Sequence, residues 1–193
     1  ILGNFLFSVQ FNDSRNLGID EVNDDSQMEI LNPISSADNY DLNKSIYINN
    51  GSDSDPKEKW WSIKENNTWC YIDENGFYVI ENITFTEADE DFCIIIENSD
   101  VPFIIRNCSF TSDKDGGINF VKTNNGTIDD ITAIKSGETG IFLEFSVNIT
   151  ISNTIANEMG TGIYLTDCKN CRIKGCTAED NQDYGIQIEN CDN

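Results

Sequence analysis

A solenoid of short parallel β-strands, three to a coil, is the all-β fold class that this sequence predicts. Three observations predict it. The motif Gly-Ile-x-(apolar) occurs at Gly117-Ile118-Asn119-Phe120, Gly140-Ile141-Phe142-Leu143, Gly162-Ile163-Tyr164-Leu165 and Gly185-Ile186-Gln187-Ile188, at steps of 23, 22 and 23 residues. Such a period marks a coil that cannot bury its apolar face alone and must stack. Second, the repeats align into apolar columns separated by polar residues, the period-2 signature of strands. Third, Asn82, Asn107, Asp130, Asn153 and Gly175 recur between two strands. These residue types tolerate the left-handed conformation that turns a chain sharply.

The columns define the coil. One reads Ile94, Ile118, Ile141, Ile163, Ile186, and the next Ile96, Phe120, Leu143, Leu165, Ile188. Further along stand Ile104, Ile128, Ile151, Ile173, then Cys108, Ile131, Thr154, Cys176, then Phe110, Ala133, Ala156, Ala178. No stretch shows sustained helical periodicity. Each coil therefore reads as strand, bend, strand, longer turn, strand, stacked about 4.8 Å apart. Side-chain amides in the bend column are placed to hydrogen-bond along the stack.

Three segments follow in order. Residues 1–45 read as a leader remnant and acidic lead-in. Ile1 to Gln10 is apolar, with Phe5, Leu6 and Phe7, and resembles the hydrophobic part of a secretory signal. Ten residues are too few to span a membrane, so no span is expected. Residues 46–76 read as an N-terminal cap, with Ile46 to Ile48 and Trp60 to Trp69 shielding the first coil. Residues 77–193 read as the repeats. They stop just after Cys191 with no capping unit, so the chain is expected to be the N-terminal part of a longer protein.

The segment Phe77 to Cys191 resembles parallel β-helix repeat proteins of the NosD-like, pectin-lyase-fold group, in particular large archaeal surface proteins. The likeness rests on Ile46-Tyr47-Ile48, Trp60-Trp61, Trp69-Cys70, Tyr78-Val79-Ile80-Glu81-Asn82-Ile83-Thr84 and Ile104-Ile105-Arg106-Asn107-Cys108-Ser109-Phe110. It implies a right-handed, single-stranded β-helix and a secreted or cell-surface location. Copper delivery of the NosD-like kind is disfavoured by the absence of His and by only 2 Met.

Composition excludes some partners. The chain of 193 residues has a net charge of −22, with 34 acidic against 12 basic residues. Nucleic acid needs a basic footprint and is not expected as a partner. The 7 cysteines include a C-x2-C-x4-C run at Cys168, Cys171 and Cys176. Cys168 aligns with Ser99, Thr123, Ser146 and Cys191, Cys176 with Cys108, and Cys93 with the repeat glycines. These positions ask for small side chains, so structural thiols are expected. A disulfide such as Cys168 with Cys191 is the alternative, and zinc lacks a fourth ligand. Sequons occur at Asn12, Asn43, Asn50, Asn66, Asn82, Asn107, Asn125 and Asn148. Asn82 and Asn107 are expected to be stacked instead of glycosylated.

The resemblance implies a fold that hosts polysaccharide lyases and hydrolases, whose chemistry needs carboxylates around the scissile bond or a base with a cation. Asp129-Asp130 and Arg172-Ile173-Lys174 look suggestive, but Asp130 lies in the bend column and Ile173 in the core. Calcium could be offered oxygens by Asp89, Glu90 and Asp91, or by Asp113 and Asp115, though neither set has ordered ligand spacing. Arg15, Arg106 and Arg172 do not converge. No cofactor and no catalytic set are expected in these residues. The candidate site is a surface. Asn119, Phe142, Tyr164 and Gln187 point outward, and Val121, Glu144, Thr166 and Glu189 form the next outward column. Aromatic faces beside polar groups suit sugar rings. Phe142, Tyr164, Glu144 and Glu189 are therefore the candidate carbohydrate-binding residues. The expected function is a structural or carbohydrate-contact role at the cell surface, with glycans or surface components as partners. The alternative is the N-terminal part of a polysaccharide lyase or hydrolase whose catalytic residues lie beyond residue 193.

Overall fold

Alternation of inward and outward residues builds two sheets in the computed structural model, which describes residues 39–86, 90–111, 116–135 and 137–192. The leader at residues 1–10, Asn12, Arg15, Asp89, Asp113 and Asp115 lie outside the described residues. Strands β1 (Tyr40–Leu42) and β2 (Ile46–Asn49) come first. A 3-10 turn (Pro56–Glu58), helix α1 (Trp60–Asn66) and β3 (Cys70–Ile72) follow. Coil one holds β4 (Tyr78–Glu81), β5 (Ile83–Phe85) and β6 (Phe92–Glu97). Coil two holds β7 (Phe103–Phe110) and β8 (Gly116–Val121), and coil three β9 (Gly126–Ile134) and β10 (Thr139–Glu144). Coil four holds β11 (Thr150–Ser152), β12 (Ile155–Asn157) and β13 (Thr161–Thr166), and coil five β14 (Arg172–Lys174) and β15 (Tyr184–Glu189).

One sheet runs β2-β6-β8-β10-β13-β15, and the other β1-β5-β7-β9-β11-β14 with β3, β4 and β12 attached. Pairing between coils is parallel throughout, as a solenoid requires. The inward column is continuous from Ile46 through Ile94, Ile118, Ile141 and Ile163 to Ile186. The first five are buried, each stabilising the stack by about 1.5–3 kcal/mol. Ile186 departs from the expected buried column: it is 44% exposed, and Ile188 58%, because no described coil stacks beyond them.

The motif glycine has a steric cause. A Cβ at Gly117 would lie 2.5 Å from the Gly140 carbonyl oxygen, and one at Gly140 2.7 Å from that of Gly162. Coil backbones approach too closely there for a side chain.

Four sequence expectations change. Ile105, not Ile104, pairs with Ile128, and the column continues through Ile151 to Ile173. Phe103 sets that register: its ring fills the space over Gly126, where a Cβ would come within 2.3 Å. Alternation from Phe103 then turns Ile105 inward. Second, Trp60–Asn66 is helical, a short element with too few turns to show a period. Third, Ile46 to Ile48 is a rung of the first sheet, paired with Ile94 to Ile96, and not only a shield. Fourth, Tyr40–Leu42, read as lead-in, pairs with Ile83–Phe85.

Trp60 is packed into the core. It is buried, its ring lies 5.1 Å from Tyr78 and 5.3 Å from Phe103, and its indole Nε1 donates to Ser99 Oγ at 2.8 Å. Trp61 is half-exposed. Strand β3 pairs antiparallel with β4 and covers its outer edge.

Bends are left-handed, and there are more columns of them than the sequence suggested. Asn82, Asn107, Asp130, Asn153 and Gly175 have φ of 59°, 50°, 52°, 49° and 63°. Further columns are Asn98, Lys122, Phe145, Asp167, Asn190; then Asn125, Asn148, Asn170; then Lys135, Glu158, Asp180. In the first of these columns the corner N–H groups of Asn98, Lys122, Phe145 and Asp167 donate to the carbonyls of Val121, Glu144, Thr166 and Glu189 in the next coil. Asn107 Nδ2 donates to Asn82 Oδ1, and Asn148 Nδ2 to Asn125 Oδ1 at 3.2 Å. The first ladder breaks at Asp130, whose carboxylate has no N–H to pass on. Asn153 donates instead to Asp129 Oδ1 at 2.9 Å.

Candidate functional site

The outward side of the first sheet carries the candidate residues. Asn119, Phe142, Tyr164 and Gln187 are in register, and so are Val121, Glu144, Thr166 and Glu189. The Gly-Ile-x-(apolar) frame fixes this, because the two inward residues force the third and fifth outward. Phe142 and Tyr164 stack with ring centroids 5.2 Å apart and planes tilted by 34°.

Polar groups continue the face upward. Tyr164 Oη donates to Glu189 Oε2 at 2.9 Å, and Gln187 Nε2 donates to Glu189 Oε1 at 2.8 Å. Both carboxylate oxygens of Glu189 are thus oriented. The Glu189 carboxylate pushes the Tyr164 phenol above its ordinary pKa, so the phenol stays a neutral donor. Phe142, Tyr164 and Glu189 are brought together. Glu144 shares the column of Glu189 but lies two coils below it, with Thr166 between, and the hydrogen bonds run to Glu189 alone.

A groove of about 490 Å³ flanks Tyr164. It is lined by Glu138, Thr161, Gln182, Asp183 and Gln187 among others, with no basic residue. No residue pattern marks this groove, because Glu138, Gln182 and Asp183 of its wall come from the segments between strands. A larger cavity of about 560 Å³ opens inside coil five, lined by Leu165, Ile173 and Ile188 with Cys171 and Cys191. Most of its wall is inward column residues.

Other candidates resolve into structural roles. Asp129 accepts from Ser152 Oγ at 2.7 Å as well as from Asn153. Asp130 is an exposed corner. Arg106 and Arg172 stand in different columns, opposite Asp129 and Thr150. Glu90 and Asp91 are exposed turn residues, tied by main-chain bonds to Ser45 and Gly116. Among the described residues no group of three or more His, Cys, Asp or Glu is placed to hold a metal ion.

One cluster escaped the sequence reading. Buried Glu81 accepts from Arg106 Nε at 2.6 Å and from Tyr71 Oη at 3.0 Å, and Arg106 also donates to Tyr71 at 3.0 Å. Burial, with Glu81, pushes the Tyr71 phenol up. Each member satisfies the others, and the set ties β3 to coils one and two. Only three-dimensional pairing brings Tyr71, Glu81 and Arg106 together.

The model of a family described as "Right handed beta helix region" matches residues 46–193. No curated protein matches the chain. Among solved structures, a Parabacteroides merdae protein provisionally named a glycosyl hydrolase is similar at a TM-score of 0.32 and 10% identity, over 63% of this chain and 79% of that one. A score that low carries no argument.

Proposed function

The chain belongs to the right-handed β-helix family, and from that premise we propose that it is a secreted or cell-surface repeat protein that contacts carbohydrate through the outward face of coils three to five. The observation that carries the reading is the Phe142–Tyr164 stack continued by an oriented carboxylate. Two stacked rings offer an apolar platform to the C–H face of a sugar. Glu189, and Glu144 lower on the same face, accept hydrogen bonds from its hydroxyls. Phe142 and Tyr164 are the anchors, and Glu144 and Glu189 set orientation.

Charge chooses the sugar. Glu144 and Glu189 on the face, and Glu138 and Asp183 in the groove, oppose a polyuronate. The face therefore favours neutral glycans. The acidic surface, with its net charge of −22, fits exposure to solvent outside the cell, where solubility and repulsion of like-charged partners are useful. A glycan array holding neutral, amino and uronic-acid oligosaccharides tests the reading. Binding is expected to neutral chains over polyuronates, and to be lost in Phe142→Ala/Tyr164→Ala. Uronate binding of equal strength, or binding untouched by the double substitution, would remove this face from the account.

A further inference from the structure

The bonds that orient Glu189 recur at the other end of the same sheet. One outward column runs Tyr47, Ile95, Asn119, Phe142, Tyr164, Gln187. Glu97 stands to Tyr47 as Glu189 stands to Tyr164, one coil up and two residues along the strand. Tyr47 Oη donates to Glu97 Oε2 at 2.8 Å, and Tyr164 Oη to Glu189 Oε2 at 2.9 Å. A side-chain amide completes each pair. Asn49 Nδ2 donates to Glu97 Oε2 and to Tyr47 Oη, both at 3.2 Å, as Gln187 Nε2 donates to Glu189 Oε1. Burial, with the Glu97 carboxylate, pushes the Tyr47 phenol up, so it too stays a neutral donor. Tyr47 and Glu97 are half-buried. Inward columns repeat because the coils share one core. An outward arrangement repeated on distant coils has no such cause.

The neighbouring outward column adds a spacing. It reads Asn49, Glu97, Val121, Glu144, Thr166, Glu189. From Glu97 on, its carboxylates fall on every second coil, with uncharged Val121 and Thr166 between. Coils stack about 4.8 Å apart, so the carboxylates recur at about 9.6 Å. A linear sugar chain joined through equatorial bonds is an extended ribbon. Each of its sugars advances by nearly one coil spacing, and every second sugar turns the same edge to a surface. Chains joined through axial bonds curl, and leave a straight column after a few residues.

We propose, resting on the carbohydrate reading of Phe142 and Tyr164, that Tyr47 and Glu97 form a second contact on that face, and that the face takes a linear, equatorially linked neutral glycan lying along the solenoid axis. One sugar packs on each ring of the Phe142–Tyr164 stack. Glu97, Glu144 and Glu189 accept hydrogen bonds from hydroxyls of alternate sugars. The column from Tyr47 to Gln187 holds about six sugars, one to a rung. A trisaccharide engages the Phe142–Tyr164 end alone, and a longer chain gains the second contact without a second association step.

The test titrates the whole chain with β-1,4-linked glucose trisaccharide and hexasaccharide, and with the α-1,4-linked hexasaccharide as the curled control. The β-linked hexasaccharide should bind at least tenfold more tightly than either of the others. Tyr47→Ala/Glu97→Ala should lower its affinity to that of the trisaccharide and leave the trisaccharide unchanged, which also reports an intact fold. Equal affinity for the two β-linked lengths, or for the ribbon and the curled chain, would overturn the proposal. So would hexasaccharide binding untouched by Tyr47→Ala/Glu97→Ala, or trisaccharide binding lost with it, since the pair would then only brace the strands. Phe142→Ala/Tyr164→Ala separates this inference from the reading beneath it. If that variant loses the trisaccharide while chain length has no effect, the reading stands and the second contact falls. If it leaves the trisaccharide bound, the reading itself falls. Silence of all three chains would overturn the proposal, and the glycan array then decides the reading.

Discussion

The two sides of one strand, β13, obey different rules. Inward, Ile163 and Leu165 repeat what Ile141 and Leu143, or Ile118 and Phe120, do one and two coils below. Outward, Tyr164 replaces Phe142 and Asn119, and Thr166 replaces Glu144 and Val121. The inward side must match its neighbours because coils share one closed core. The outward side needs only to be tolerated by water. Regularity therefore reports the fold, and departures from regularity on the outer side report where recognition is to be sought.

Ile141→Asp should break the inward side most severely. An unpaired charge would enter a fully buried site, at a cost of more than about 4 kcal/mol. Urea denaturation followed by circular dichroism should show the cooperative transition lost or moved far toward low denaturant. Next in size is Trp60→Ala, which removes the ring packed on Tyr78 and Phe103 and the bond to Ser99. A loss of about 3–5 kcal/mol in the same experiment is expected.

Alkali attacks the same core by another route. Cys70 and Cys108 hold their protons up to about pH 12, whereas the unfolded chain releases them from about pH 8.5 upward. The native state then binds more protons than the unfolded one, so stability falls as pH rises. The slope is about 1.4 kcal/mol per pH unit for each thiol. Between pH 9 and 12 the midpoint of urea unfolding should drop, and Cys70→Ala/Cys108→Ala should flatten the drop.

Smaller effects sharpen the outward side. Phe145 sits at φ 50° and is 48% exposed, in a corner column where Asn98 and Asn190 stand in other coils. Phe145→Asn should stabilise by about 1 kcal/mol, read as a higher melting temperature, because Asn tolerates the left-handed bend.

Inward residues were legible in the sequence because Gly-Ile-x-(apolar) leaves one reading of which side is core. Legibility failed where two apolar residues are adjacent. Ile104 and Ile105 are equal in hydrophobicity, and only the fit of Phe103 over Gly126 decides between them. The bend column of Asn82 was visible because four of its five members are Asn or Asp and the fifth is Gly. The column of Lys122, Phe145 and Asp167 was not, because Lys and Phe give no such signal. Phe142 and Tyr164 were placed side by side correctly from the period alone. The bonds that single out Glu189 over Glu144 depend on side-chain reach across a coil, which no spacing encodes.

The most direct test of the division between the two sides pairs two measurements on Phe142→Ala/Tyr164→Ala: thermal unfolding, and titration with the neutral oligosaccharide that binds the unaltered chain best. The account predicts a melting temperature within about 3 °C of the unaltered chain, with affinity down at least tenfold. A large fall in melting temperature would show that the rings belong to the packing. Unchanged affinity would show that carbohydrate is held elsewhere, and either result contradicts the claim.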